Sequence, residues 1–346
     1  MGGKKKTVWN VSFLLLVFAL TMYGVFYGED IGAIGDAIQN ADIRFLIPAV
    51  GCVVFFIWGE SIIIYYLLGT MKYRLSKIKC FLISSIGFFF SCITPSASGG
   101  QPMQMVYLKK EKVPLAISSL VLMIVTITYK LVLVVLGVFI LIFQRNFVSD
   151  YLQDVQPVVW LGLILNVVCV AVLLMLVFHP QMMKKLINWG HETLVKLHLL
   201  HHKSSRVQKL DESMDLYHET AGYFRENFGV VVNVFLITVL QRAALFAVTY
   251  FVYRAFGFNN LNLFELVMLQ AVISVAVDML PLPGGMGISE KLFSIIFLPV
   301  FGAALILPAM VLSRGLSYYT ELLISAVMTV VGHFILGKKM GEGTIK

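Results

Sequence analysis

Long apolar runs are the feature that most constrains how this chain folds. A helix that crosses a bilayer needs about 20 mostly apolar residues, and six segments reach that length. Charged residues make up only 13% of the chain, too few to cover the surface of a soluble domain. The sequence therefore predicts an all-α integral membrane protein in which residues 1–346 form one polytopic domain. The predicted spanning helices are 8–28, 45–68, 114–143, 158–178, 229–252 and 303–336.

Two further apolar segments, 80–108 and 264–298, are interrupted by proline and glycine. The first breaks within residues 94–102 and the second within 281–287. The apolar stretch before the first break is too short to cross a bilayer with ease, and basic residues flank the segment on both sides. We interpret both segments as re-entrant hairpins, while simple hydropathy favours eight full spans. Backbone that is not helical at this depth requires protein or water to satisfy its polar groups.

Basic residues indicate the orientation of the chain. They are concentrated at both termini, in the loops on either side of the first hairpin and in the long loop 179–228, whereas the predicted outer loops hold only three arginines. Under the positive-inside rule this distribution places both termini and loop 179–228 in the cytoplasm of a cell-membrane protein. The net charge of +8 then reflects membrane orientation, and we expect no nucleic-acid partner.

The sequence contains no pattern typical of a cofactor or metal site. The four cysteines are scattered through apolar stretches without close spacing. His198 and His202 share a helical face in loop 179–228, but no cysteine or carboxylate is placed to complete a metal site. No nucleotide-binding loop occurs between a strand and a helix. We therefore expect neither cofactor nor metal.

An internal repeat relates the two hairpins. In each copy a spanning helix leads to a hairpin broken at Gly-Gly, and the next helix carries a basic residue. Lys130 lies 30 positions after Gly100, and Arg314 lies 29 positions after Gly285. The two leading helices run in opposite directions in the predicted topology. This is the inverted repeat of many secondary transporters, whose substrate sites lie near the bilayer midplane.

Ionisable residues within the predicted spans indicate a buried site, because charges at the centre of a bilayer cost about 2.5 kcal/mol or more. They are Glu60, Lys130, Arg242, Asp278, Glu290, Lys291, Arg314 and Glu321. One interpretation is that they only pair with each other and lock the helices. The other is a polar cavity in which Lys130, Arg242 and Arg314 receive a phosphate group. Glycine turns allow close approach of a ligand, helix N-termini favour anions, and Ser96, Ser98 and Gln101 supply neutral hydrogen bonds.

Three segments resemble the lysylphosphatidylglycerol synthase transmembrane-region family, the flippase-like module of multiple peptide resistance factor proteins. They are Phe88–Leu108, Thr126–Lys130 and Leu280–Glu290, and the resemblance covers roughly residues 8–336. It implies a membrane module that moves or handles a lipid, in full-length relatives an aminoacylated phosphatidylglycerol. The chain ends at Lys346, so we expect no cytosolic aminoacyl-transfer domain.

The resemblance also implies roles for particular positions. The Pro-Gly-Gly-x-Gly-x-x-Glu motif of the family falls on Pro283, Gly284, Gly285, Gly287 and Glu290, and its following arginine falls on Arg314. The resulting substrate-binding prediction, which includes no catalytic residue, comprises Ser96, Ser98, Gly99, Gly100, Gln101, Lys130, Arg242, Pro283, Gly284, Gly285, Gly287, Glu290 and Arg314.

These observations predict a flippase-like transporter of an anionic or aminoacylated phospholipid. Two alternatives remain open at this point. The first is a phosphatidylglycerol lysyltransferase, as the family name suggests. The second is a membrane partner that transports nothing and serves a separate envelope enzyme. Membrane phospholipid is the expected partner, and a second copy of the chain or an envelope enzyme are further candidates.

Overall fold

The computed structural model describes residues 31–94, 97–143, 147, 149, 151–178 and 216–336. The predicted span 8–28, most of loop 179–228 and Ser96 lie outside the described residues. Within these ranges all regular structure is helical, which confirms the predicted all-α class. The α-helices are α1 (Ile31–Gln39), α2 (Ile43–Thr70), α3 (Lys77–Cys92), α4 (Gly100–Lys110), α5 (Leu115–Val138), α6 (Gln156–Phe178), α7 (Phe228–Ala255), α8 (Leu263–Val277), α9 (Ile288–Arg314) and α10 (Thr320–Ile335).

Five helical segments of the described ranges are long and apolar enough to cross a membrane. Three of them are α2, α6 and α7, and a fourth is α5 with the π-helical turn Phe139–Phe143 that continues it. The fifth, Pro283–Ile335, is longer than the predicted span 303–336 because it includes the second half of the predicted hairpin 264–298. This multi-pass helical architecture confirms an integral membrane protein. The number of spans and the re-entrant course of the hairpins stay predictions.

Both glycine motifs interrupt the helices. The first separates α3 from α4, which are 16 and 11 residues long and therefore too short to cross a bilayer singly. The second separates α8 from α9 through the 3₁₀ turn Pro283–Gly285. Helix α9 is itself kinked at Gly302, whose φ of 72° and ψ of 166° suit glycine. The kink lies at the predicted boundary between the second hairpin and the last span.

The packing of the two halves follows the same plan. The leading helices α2 and α7 pack against each other, closely enough that a Cβ at Gly59 would touch the Gln241 side chain. Helix α3 packs on α2 and α10, and helix α8 packs on α7 and α5. Each hairpin therefore contacts its own leading helix and the last helix of the other copy. An inverted repeat would produce this pattern, and the repeat itself stays a prediction.

Each hairpin is also set in a separate apolar cluster. Residues such as Ile64, Ile83 and Leu108 pack around the first hairpin. Residues such as Val272 and Phe297 pack around the second. Several apolar side chains of α6 face outward instead, as expected for a helix that contacts lipid, and they include Leu161, Ile164 and Val168.

Candidate functional site: a charged cavity between two hairpins

A cavity of about 520 Å³ lies between the two hairpin turns and the helices around them. Ser98 from the first turn and Gly284 and Gly285 from the second line it together. Its charged lining residues are Glu60, Lys130, Arg242, Asp278, Arg314 and Glu321, and its neutral polar ones include Gln101, Gln104, Thr126, Tyr129, Gln241, Ser274 and Tyr318. These six charged residues come from six different helical segments and line the same cavity.

The first hairpin turn is held by close backbone contacts and by amide side chains. The Thr94 hydroxyl accepts a hydrogen bond from the Gly99 N–H at 2.8 Å. One turn further along, α4 points two glutamines at neighbouring helices. Gln101 donates to the Thr126 hydroxyl on α5, and Gln104 Nε2 donates to Glu60 Oε1 on α2 at 2.6 Å. Both glutamines line the cavity and link α4 to the helices around it.

The second hairpin turn depends on Glu290 and Arg314. The Glu290 carboxylate accepts hydrogen bonds from the Gly287 N–H at 2.7 Å and from the Ser289 hydroxyl at 3.1 Å. A carboxylate in this position complements the positive N-terminal end of α9. Arg314 Nε donates to Glu290 Oε1, and its Nη2 donates to the Gly284 carbonyl, both at 2.9 Å. Arg314, for which the sequence predicts a phosphate contact, is therefore bonded to the second turn of the protein itself.

A second ion pair crosses the cavity wall. Lys130 Nζ on α5 lies 2.6 Å from Asp278 Oδ2 at the end of α8, and both side chains are largely buried. The same ammonium lies 3.0 Å from the Met279 sulfur. The pair joins residues 148 positions apart in the chain. The charge of Lys130 is thereby compensated within the protein.

Arg242 is in a different situation from the other two cations. Its guanidinium stacks on the Tyr129 ring with 3.5 Å to the centroid and lies 4.8 Å from the Phe56 ring. Its Nε is buried and has no hydrogen-bond partner, and no carboxylate among the described residues forms an ion pair with it. The adjacent Gln241 donates instead to the Phe56 carbonyl at 2.8 Å. Arg242 thus offers hydrogen-bond donors that the described residues leave unused.

Two carboxylates complete the charged lining. Glu60 accepts the hydrogen bond from Gln104, and Glu321 lies 3.7 Å from the Cys92 thiol. Both interact electrostatically with Arg242, although neither forms a close ion pair with it. Glu321 is buried on α10, next to the π-helical turn Gly315–Tyr319 that follows Arg314.

The predicted site residues divide into two groups, apart from Ser96, which lies outside the described residues. One group lines the cavity, and the other shapes the turns behind it. The lining group is Ser98, Gln101, Lys130, Arg242, Gly284, Gly285 and Arg314. The second group is Gly99, Gly100, Pro283, Gly287 and Glu290. Whether any of them binds a substrate stays a prediction.

Several lining residues were absent from the predicted set. Glu60, Asp278 and Glu321 were recognisable as ionisable residues in apolar segments. They were left out of the predicted set because only cations were assigned to the phosphate. Gln104, Thr126 and Tyr129 carried no such signal, because neutral polar residues are common in membrane helices. Only the packing of α4 and α5 places these three on the cavity.

The fold and the cavity define a polytopic helical membrane protein in which two glycine-interrupted helical segments border a charged cavity. Residues 8–325 match the family described as the lysylphosphatidylglycerol synthase TM region. The chain therefore belongs to this family, which associates it with a membrane module for handling lysylphosphatidylglycerol. A search of curated proteins finds no match to the chain.

Proposed function

We propose that this protein translocates an anionic or aminoacylated phospholipid, with the headgroup in the cavity and the acyl chains in the surrounding lipid. The observation that carries the proposal is Arg242, a cavity-lining guanidinium without an ion pair among the described residues. Buried charges are costly in a membrane, and such a group is a functional-site candidate. A phosphate fits it, because guanidinium groups bind phosphate through paired hydrogen bonds.

The surroundings of Arg242 support a headgroup as the guest. The cavity is in the size range of small-molecule sites, and amide donors from both repeat copies, such as Gln101 and Gln241, line it. The charges of Lys130 and Arg314 are compensated by their ion pairs. We therefore assign the main phosphate contact to Arg242, the cavity-lining cation without an ion pair among the described residues.

We place the protein in the cell membrane with both termini in the cytoplasm, as the distribution of basic residues favours. Phospholipid is then both solvent and substrate, and a second copy of the chain or an envelope enzyme is a further candidate partner. No nucleotide-binding motif occurs in the sequence, so transport runs downhill or is coupled to an ion.

Lipid translocation in proteoliposomes tests the proposal. Fluorescent phosphatidylglycerol and its lysylated form are followed across the bilayer with wild-type protein and with Arg242→Gln. We expect the variant to move lipid about tenfold to a hundredfold more slowly, because a hydrogen bond to a charged group contributes about 1.5–3 kcal/mol. Arg254→Gln is the matched control, since Arg254 lies on the same helix but bonds to Tyr250 outside the cavity.

Two results would contradict the proposal. The first is translocation by Arg242→Gln at the wild-type rate. The second is no translocation of either lipid by folded wild-type protein, which with a co-purifying envelope enzyme would favour the membrane-partner alternative. Incubation with phosphatidylglycerol and lysyl-tRNA addresses the remaining alternative, since lysylated lipid as a product would identify a transferase.

A further inference from the structure

The charges around the cavity do not balance. Lys130 pairs with Asp278, and Arg314 pairs with Glu290. Among the described residues these two pairs leave one cation, Arg242, and two carboxylates, Glu60 and Glu321, on the cavity wall. Arg242, to which we assign the phosphate contact, therefore lies in a local excess of negative charge.

The two carboxylates reach the cavity from separate helices. Glu60 lies on α2 and Glu321 on α10, and each interacts electrostatically with Arg242 and with the other carboxylate. The nearest partner of each is a neutral group, the Gln104 amide for Glu60 and the Cys92 thiol for Glu321. No lysine or arginine of the described residues forms a close ion pair with either.

The other titratable groups that face this space do not change the balance. Lys130, Asp278 and Arg314 are engaged in the two ion pairs. The thiols and phenols that line the cavity are uncharged at neutral pH in their ordinary state. They come from α3, α5, α6 and the π-helical turn before α10, and they are Cys92, Tyr129, Cys169 and Tyr318.

An anion that binds Arg242 increases this excess. The guanidinium that partly compensates Glu60 and Glu321 is then shared with a third negative group. An uncompensated charge in a buried site is strongly unfavourable. Protonation of one carboxylate removes one negative charge and restores the balance that existed before binding. The proton comes from hydronium or from a buffer acid in the surrounding water, whose bond to the proton breaks as the carboxylate O–H bond forms.

We propose that the cavity takes up about one proton with each anion that it binds, and that the Glu60–Glu321 pair holds this proton. The inference rests on the proposed function, since it assumes that an anion binds at Arg242. The proton belongs to the pair, because two interacting carboxylates titrate together. Anion binding then weakens as the pH rises, by about tenfold per pH unit where one proton is taken up.

Isothermal titration calorimetry of the full-length protein in detergent tests the inference. The probe is dihexanoyl phosphatidylglycerol, a soluble anionic lipid, titrated in two buffers that differ in ionisation enthalpy. The difference between the two observed binding enthalpies, divided by the difference between the buffer ionisation enthalpies, gives the number of protons taken up per anion. We expect about one for the wild type. Glu60→Gln and Glu321→Gln should each lower this number and flatten the pH dependence of the Kd, because one carboxylate is removed from the pair.

Controls separate this inference from the proposed function. Glu226→Gln changes an exposed carboxylate outside the cavity and should behave as wild type. If the wild-type protein binds no probe, or if Arg242→Gln binds it unchanged, the proposed site is wrong. If the probe binds at Arg242 without proton uptake, or if both glutamine variants keep the full uptake, only the proton linkage is wrong. Thermal unfolding in detergent identifies a variant that fails to fold. The other glutamine variant then shows whether the Glu60–Glu321 pair takes up the proton.

Discussion

The two hairpin turns on the cavity, at Gly99-Gly100 and at Gly284-Gly285, require glycine in different ways. Gly100 has a φ outside the left-handed region, but a Cβ there would collide with the Ser91 hydroxyl and the Gly87 carbonyl. Gly284 and Gly285 have φ values of 57° and 67°, which favour glycine whatever the space. The first turn needs a close approach of two helices, and the second needs a left-handed backbone. The same Gly-Gly dipeptide therefore provides space between helices in the first turn and a left-handed backbone in the second.

The turns also differ in how charge supports them. At the second turn, Arg314 bonds to the Gly284 carbonyl and to Glu290, so an ion pair holds the turn itself. At the first turn, the described contacts are those of neutral groups such as Thr94 and Gln101. The related cation of the first copy, Lys130, bonds instead to Asp278 of the second. The second turn is therefore the more sensitive of the two to loss of a charge.

The largest expected effect comes from Arg314→Gln. It leaves the Glu290 carboxylate buried without its cation and removes the bond to the Gly284 carbonyl, and breaking a buried pair costs about 3–5 kcal/mol. Lys130→Gln also breaks a buried pair but leaves both turns in place, so its loss should be smaller. Thermal unfolding in detergent measures both. Lys291→Gln, an exposed change on α9, is the control and should stay within about 0.5 kcal/mol of wild type.

A larger loss in Lys130→Gln than in Arg314→Gln would contradict this account. It would mean that the contact between the two copies, and not the support of the second turn, contributes more stability.

The next effect in size is that of Gly284→Ala. The left-handed backbone costs a residue with a Cβ about 1–2 kcal/mol, and the new Cβ would also displace the Tyr318 ring. We expect a total loss of about 3 kcal/mol in the same unfolding assay. Gly257→Ala separates the two terms, because Gly257 has a φ of 84° but no atom within 4 Å of a Cβ. Equal losses in the two variants would show that the Tyr318 contact contributes nothing.

The smallest of the three effects is expected for Gly100→Ala, at about 2 kcal/mol, because it overpacks the contact of α3 with α4 without straining φ. Gly69→Ala is the control, since a Cβ there meets open space and should leave stability unchanged or raise it. A Gly100→Ala protein as stable as wild type would show that the first turn does not need the close approach.

The sequence predicted more of the fold than of the site. Apolar runs and the breaks at Pro95–Pro102 and Pro281–Gly287 are local signals, and the helices that the structure describes follow them closely. Helix α9 was the exception, because it continues with a kink through Gly302, where the sequence predicts the end of one segment and the start of another. For the site, ionisable residues in apolar segments indicated a charged interior, but not which of them pair.

Hydropathy and chain breakers act over short stretches of chain, so they were sufficient to predict a helical membrane protein with two glycine-broken segments. The pairing of Lys130 with Asp278, 148 residues away, and of Arg314 with Glu290 follows only from how the helices pack. The packing likewise places Arg242 against two aromatic rings, in electrostatic interaction with two carboxylates and without an ion pair among the described residues. The physical reason is that charge compensation depends on distances of a few ångströms between helices, which no local pattern encodes.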